Sequence, residues 1–267
     1  MTTAVQSALP QSFVTADPDI PRVPFGRLLH VELRKTVDTR AGRWLLAGIV
    51  AATVAIVAVY LLVDDAGSLT FRNIAGVAAA PQSLLLPVLA ILAATTEWTQ
   101  RTALVTFTLE PNRSRVTLAK LVAVVTIGLL ALAVALVAAA AGNVAGAALM
   151  DGSGSWNLGA ADAWDLVLMQ LLAMLQGFAF AMLLMSTPAA LVTYFVLPLA
   201  WTAAFSLRAL RDLAPWLDLG AATSSLYSTN DLRTDEWAHI AVAGSLWMLL
   251  PLALGLLRLL RREVKSS

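Results

Sequence analysis

Few side chains in this chain are able to do covalent chemistry. There is no cysteine, which removes disulfides and thiolate metal sites, and the two histidines, His30 and His239, lie far apart in sequence. No metal centre is expected from such a set. Gly152-Ser153-Gly154 looks like a fragment of a serine-hydrolase motif, with His239 as a base in principle. Ser153 sits in an acidic, glycine-rich segment, however, and nothing in the sequence brings His239 to it. A flexible linker is the stronger reading, and His239 beside Trp237 reads as a membrane-boundary residue. No G-x-x-x-x-G-K-[ST] phosphate loop occurs, so the chain does not bind ATP by that route. The remaining concentration of polar chemistry is the segment 97–120, EWTQRTALVTFTLEPNRSRVTLAK, with Glu97, Arg101, Glu110, Arg113, Arg115 and Lys120 between two long apolar runs. Apolar residues set among Glu and Arg suit a surface for another protein; an ordinary basic loop held on one side of a membrane by its charge is the alternative.

The elements that carry this segment are written in the composition. The chain is 59% hydrophobic and only 13% charged, with a mean hydropathy of +0.77. Soluble domains run near about 45–50% apolar and about 25% charged. The apolar residues fall in blocks free of Asp, Glu, Lys and Arg, each long enough for a hydrocarbon core of about 30 Å, which roughly 20 helical residues cross. The expected fold class is therefore all-α, a polytopic membrane protein with six transmembrane helices. They fall at Trp44–Val63, Asn73–Trp98, Leu118–Met150, Leu166–Ser186, Ala189–Leu207 and Ile240–Leu257. The third exceeds one crossing, which predicts a tilt, a bend near Gly142 and Asn143, or an outer extension. Thr187-Pro188 marks a tight reversal, and Pro87, Pro198 and Pro251 lie inside spans.

Residues 1–24 read as a disordered cytoplasmic tail and not as a secretory signal. Residues 25–43 read as an amphipathic amino-terminal interface helix: Phe25, Leu29, Leu33 and Val37, with Leu28 beside them, make one stripe, and Arg27, Arg34 and Asp38 fall opposite. It serves either as a membrane anchor or as part of a docking surface. Residues 44–260 form the six-helix domain, with the 97–120 loop on the inside, an outer helical segment over 208–237, and a cytoplasmic tail over 261–267. Basic residues orient it. With both termini cytoplasmic, only Arg72, Arg208, Arg211 and Arg233 of the 18 Lys and Arg residues stay outside, as the positive-inside rule requires.

No Asp, Glu, Lys, Arg or His falls in the middle of a span. Such groups mark proton relays and ion pathways, so a proton- or sodium-coupled carrier is disfavoured. The polar residues within spans are mild: Asn143, Gln170, Gln176, Thr193, Tyr194 and Thr202. They either line a path or make interhelical hydrogen bonds of about 0.6 kcal/mol each. Gly142-x-x-x-Gly146 fits close helix packing. In the 97–120 loop, Val105, Phe107 and Leu109 alternate with threonines in a strand-like pattern, Glu110-Pro111-Asn112 breaks the chain, and Asn112 or Ser114 is placed to cap the next helix.

Glu97, Thr102, Pro111, Ser114-Arg115 and Lys120 stand in the order and spacing of a pattern at the inner ends of spans two and three. On these residues the chain resembles the permease subunits of ABC-type exporters, the type-two membrane-subunit family. Arg101 stands where that family often has Gly. The segment with Glu32, Lys35 and Arg40 before span one, the six-span layout and the outer helices between spans five and six also match, over roughly residues 25–265. The resemblance implies a permease dimer, of two identical or two different copies, whose interface makes the path in an inner (plasma) membrane. It also implies a separate ATPase subunit beneath each permease. ATP and Mg would be held there, and this chain would bind no cofactor and catalyse nothing. Membrane lipids are the other partners, and nucleic acid is not one. The loop would form a coupling helix, with Arg101, Arg113 and Arg115 as docking or lipid contacts, Glu97 as a hinge-side hydrogen-bonding group, and the amino-terminal helix packed alongside. An intramembrane enzyme and a non-transporting membrane scaffold are the alternative functions.

Overall fold

The computed structural model describes residues 23–227 and 233–261. The expected tails lie outside the described residues, apart from Val23, Pro24 and Arg261. Among the described residues there is no strand. Six helices are long and apolar enough to cross a membrane, which makes this a multi-pass membrane protein. In order the elements are α1 (Phe25–Asp38), α2 (Arg40–Val63), α3 (Phe71–Thr99), α4 (Ala103–Leu109), α5 (Arg113–Leu149), α6 (Ala160–Leu184) and α7 (Thr187–Phe205). There follow the short α8 (Ala214–Leu217) and α9 (Leu219–Thr223), then α10 (Thr234–Gly244), a π-helical turn over Ser245–Leu249, and α11 (Leu250–Arg261). The sixth span is the continuous run Thr234–Arg261.

Side-chain caps explain several boundaries. Thr39 is extended and its hydroxyl accepts from the Gly42 amide at 3.0 Å, so the helix expected over 25–43 breaks there, and the first span begins at Arg40 rather than Trp44. Asn112 caps α5 by accepting from the Arg115 amide at 3.2 Å. Met185 turns into the left-handed region, Ser186 is extended, and Pro188 sits in the first turn of α7. The expected reversal thus falls at Met185–Ser186, just before Thr187-Pro188. α5 runs unbroken through Gly142 and Asn143 for 37 residues, or about 55 Å at 1.5 Å per residue. It therefore exceeds the hydrocarbon core.

α3 is the axis of the bundle, packed on α2, α5, α6 and α7. Half of its apolar window and half of that of α6 are buried, against 17% for α2 and 11% for α7; the last two are peripheral and turn most of their apolar surface outward. The main core joins Ile49, Leu89, Val124, Met174, Phe178 and Met182, and a smaller cluster around Val57, Ile74 and Ala139 fills the far end. The small-residue pair works as expected: a Cβ on Gly142 would meet Val57 and Ile74, and one on Gly146 would meet Leu61.

Two ends of the bundle are distinct. At one end meet α1, the end of α3, α4, the start of α5 and the end of α11, where the Arg113 guanidinium donates to the Leu259 carbonyl. At the other, the 151–159 segment straps the start of α3. The Phe71 amide donates to the Ser155 carbonyl at 3.0 Å, Ser153 Oγ donates to the Leu69 carbonyl, and Arg72 pairs with Asp162 at 2.9 Å. The outer segment, expected as one or two surface helices, is a chain of short turns folded against α7 and α10, with part of 208–237 outside the described residues.

Two spans bring their backbones close at Gly255, where a Cβ would lie 2.6 Å from the Met182 carbonyl carbon and 2.7 Å from the Leu183 nitrogen. Both are backbone atoms, which cannot rotate away. Gly255→Val is therefore expected to separate α11 from α6 at a cost of about 1–3 kcal/mol, read as a fall in Tm of the purified protein; an unchanged Tm would contradict this packing.

Candidate functional site

The site is built at the end of the bundle that displays α4. Lys120 lies in the second turn of α5, and its side chain is 6% exposed. Its ammonium sits 2.7 Å from Glu32 Oε2 of α1 and 2.7 Å from Glu97 Oε1 of α3, and donates to the Ala93 carbonyl at 3.2 Å. The Glu32 and Ala93 contacts are hydrogen bonds, and the Glu97 contact is an ion pair without hydrogen-bond alignment. Lys35, one turn beyond Glu32, closes the cluster at 2.7 Å from Glu32 Oε1 and 3.6 Å from Glu97 Oε1. Two carboxylates and two ammoniums therefore balance, with Glu32, Glu97 and Lys120 buried and Lys35 at the partly exposed edge. The sequence singled out all four residues without indicating that they meet.

This arrangement changes the reading of α1. The expected stripe is only half inward: Leu33 packs on the core, whereas Val37 is exposed. The most buried positions on the helix are Glu32 and Thr36, spaced one turn apart. The helix is docked by charge as much as by apolar area. Arg27 and Arg40 are exposed, and Arg34 pairs with Asp38 of its own helix at 2.9 Å.

Segment 97–120 is helical where alternation suggested a strand. Seven residues, Ala103–Leu109, form α4; the alternation is a poor guide in so short a piece, where Trp98 packing on Phe107 sets the face that turns inward. Arg101 adopts φ +56°, the left-handed conformation that glycine takes at least cost, at the position where the resembled family often has Gly. Thr102 is exposed, and its amide donates to the Glu97 carbonyl at 3.0 Å. Pro111 is exposed, and Glu110 is buried and paired with Arg115 at 3.1 Å. Arg115 also donates to the Val23 carbonyl at 2.8 Å, and Arg113 lies 5.1 Å over the Phe107 ring. Arg113 and Arg115 thus brace the loop internally, and Arg101 is the arginine left outward. The outward face of α4 is mostly apolar: Leu104, Val105 and Leu109 are 43%, 59% and 75% exposed, and the exposed Thr108 turns its hydroxyl back onto the Val105 carbonyl.

The six polar span residues separate into groups. Gln176 and Tyr194 line a cavity of about 390 Å³ among α3, α6, α7, α9 and the π-helical turn. Thr202 lies beside it, donating at 2.9 Å to Asp218, another lining residue. Asn143 and Gln170 are buried in the packed bundle, away from the cavity lining, and Thr193 is half-buried on α7. Sequence reasoning missed Gln82, whose amide crosses from α3 to the Ala131 carbonyl of α5 at 2.8 Å, and the cavity role of Asp218. A lone Gln in an apolar run was the only signal for the first. Ser153 and His239 take separate partners: the hydroxyl bonds Leu69 as above, and His239 stacks edge-on against Trp216 at 4.3 Å.

Removing one member of a buried ion cluster leaves its partners charged and unpaired, at about 3–5 kcal/mol. Lys120→Met is expected to lose that much stability, and adding Glu32→Gln and Glu97→Gln to it should restore most of the loss in a denaturation series. No rescue would contradict the charge-balance account. Burial pushes the Glu32 carboxyl up, but Lys120 and Lys35 outweigh this and hold it below its ordinary value of 4.5. The contact therefore contributes fully above pH 4.5 and is lost as pH falls through the depressed value. Amide exchange across 25–38 should rise on such acidification, well before exchange in the core of α3; simultaneous loss of both would contradict it. No protein-family model matches this chain, and a comparison with curated proteins returns no match.

Proposed function

We propose that this chain is the transmembrane permease subunit of an ATP-driven ABC exporter, coupled through the 97–120 loop to a separate ATPase. The observation that carries the reading is α4, a short helix with an outward apolar face, hung between two long helices whose ends are tied together by the Glu32–Lys120–Glu97 cluster. A force applied to α4 would pass to α3 and α5 through a joint that cannot slip without separating buried charges. Exposed Leu104, Val105 and Leu109 give an apolar groove on a partner something to grip, and Arg101 adds a charge at the rim.

In this reading the α4 end faces the cytoplasm, both termini are cytoplasmic, and α1 lies in the membrane surface of the inner membrane with Arg27 and Arg34 outward. Charge distribution supports that orientation: Arg72, Arg208, Arg211 and Arg233 occupy the opposite end, and the other described basic residues gather at the α4 end. The peripheral α2 and α7 leave apolar faces for lipid and for a second permease. ATP and Mg would be held by the partner.

The test is affinity purification from the native membrane in mild detergent, with vanadate-sensitive ATPase activity assayed on the eluate. Glu97 is unsuitable for substitution there, because it belongs to the buried cluster. Val105→Asp with Leu109→Asp changes only exposed positions, so Tm should hold within about 0.5 kcal/mol of stability while co-purifying ATPase falls at least about tenfold. A wild-type eluate without ATPase would overturn the reading.

A further inference from the structure

The cavity lined by Gln176 and Tyr194 contains a charge that the bundle does not balance. Asp218 lines it and is 3% exposed. Its Oδ2 accepts from the Thr202 hydroxyl at 2.9 Å and its Oδ1 from the Gly220 amide at 3.0 Å. Both donors are neutral, and among the described residues no Lys, Arg or His pairs with it. A carboxylate has about four acceptor positions, so half its capacity is unused. This is the opposite of the Glu32 and Glu97 carboxylates, each of which meets an ammonium.

The carboxylate is also held rigidly. The indole nitrogens of Trp201 and Trp247 both donate to the carbonyl of the preceding residue, Leu217, at 3.0 and 2.8 Å. That clamps the chain entering α9 against α7 and the π-helical turn. The rest of the wall is mainly apolar and aromatic, with Leu172, Phe195 and Trp247 joining Tyr194, and its other polar side chains, Gln176 and Thr223, are neutral. The volume of about 390 Å³ lies in the range of small-molecule sites, about 300–1,000 Å³.

Each feature selects the same ligand. An anion would meet the carboxylate. A hydrated divalent metal ion would find a single carboxylate, with only the scattered neutral oxygens of Gln176, Thr223 and Tyr194 beside it, against the several carboxylates that usually replace its water. A neutral hydrocarbon would leave the buried charge unpaired. A cation with apolar substituents satisfies the carboxylate, lies against ring faces that attract positive charge, and fills the greasy volume. We infer that this cavity is a binding site for an apolar monocation, a substituted ammonium or phosphonium carrying hydrophobic groups. The site belongs to this chain alone and stands or falls separately from coupling to an ATPase.

The test is equilibrium binding of radiolabelled tetraphenylphosphonium to the full-length protein in nanodiscs of zwitterionic lipid. Tetraphenylmethane serves as a neutral competitor of the same shape. Asp218→Asn keeps the helix cap, because Asn caps as well as Asp, and removes the charge. Wild type should bind saturably, Asp218→Asn at least about tenfold more weakly with the Tm unchanged, and the competitor should displace the label poorly. Leu172→Trp narrows the cavity with the carboxylate intact and should weaken binding at least about tenfold; it decides the matter if Asp218→Asn lowers the Tm. Equal affinity in wild type and Asp218→Asn, undiminished binding in Leu172→Trp, or no saturable binding would overturn the site and leave Asp218 as a helix cap only.

Discussion

One ammonium group organises the end of this molecule that carries α4. Lys120 gathers a carboxylate from α1, a carboxylate from α3 and a backbone carbonyl from α3, and so pins the amino-terminal helix and the ends of two spans to a single point. Burying charge is costly unless every partner is present. Here each carboxylate meets an ammonium, so the cluster acts as a register pin: a slip of one residue in α1 or α5 would strand at least one charge in a dry environment. Apolar packing alone would not discriminate so sharply, because neighbouring Leu and Val positions on α1 are nearly interchangeable.

The pin determines the setting of α4. α4 has few inward contacts of its own, with Ala103 buried and Phe107 packed between Trp98 and Arg113. Its orientation comes from its two attachments. One is the left-handed turn at Arg101, and the other is the Asn112 cap braced by the Glu110–Arg115 pair. A helix held mainly by its ends, with an apolar outer face, is suited to move as a lever rather than to serve as core. The contrast with α3 and α6 is plain, since those helices bury half of their apolar windows and form the fixed frame.

The opposite half of the bundle shows a second way of handling polarity. Trp201 and Trp247 donate to the Leu217 carbonyl and Thr202 donates to Asp218, and these adjacent hydrogen bonds fold the short α8 and α9 back onto the spans. The π-helical turn at Ser245–Leu249 carries Trp247 into that arrangement, a role in keeping with the occurrence of such turns at functional positions. Pro251 lies just beyond it, where a missing amide already weakens the regular ladder.

Six spans, their approximate limits, a cap at Asn112 or Ser114 and the packing role of Gly142 and Gly146 were legible in the sequence, because each depends on local composition or on spacing along one helix. The residues of the ion cluster were legible individually, as charges in unusual places. Their meeting was not: Glu32, Glu97 and Lys120 belong to three helices, and no periodicity within one helix reports where another helix crosses it. The same limit hid the half-turned face of α1, where buried Glu32 and Thr36 displace Val37, and the internal bracing of Arg113 and Arg115. It also hid the isolation of Asp218, since whether a carboxylate has a cationic neighbour depends on long-range contacts. The sequence by itself determined that this chain crosses a membrane as helices, because the backbone must satisfy its own hydrogen bonds in hydrocarbon. The tertiary structure alone decided which charges are neutralised and which is left facing a cavity, because electrostatic pairing is a property of distances between helices.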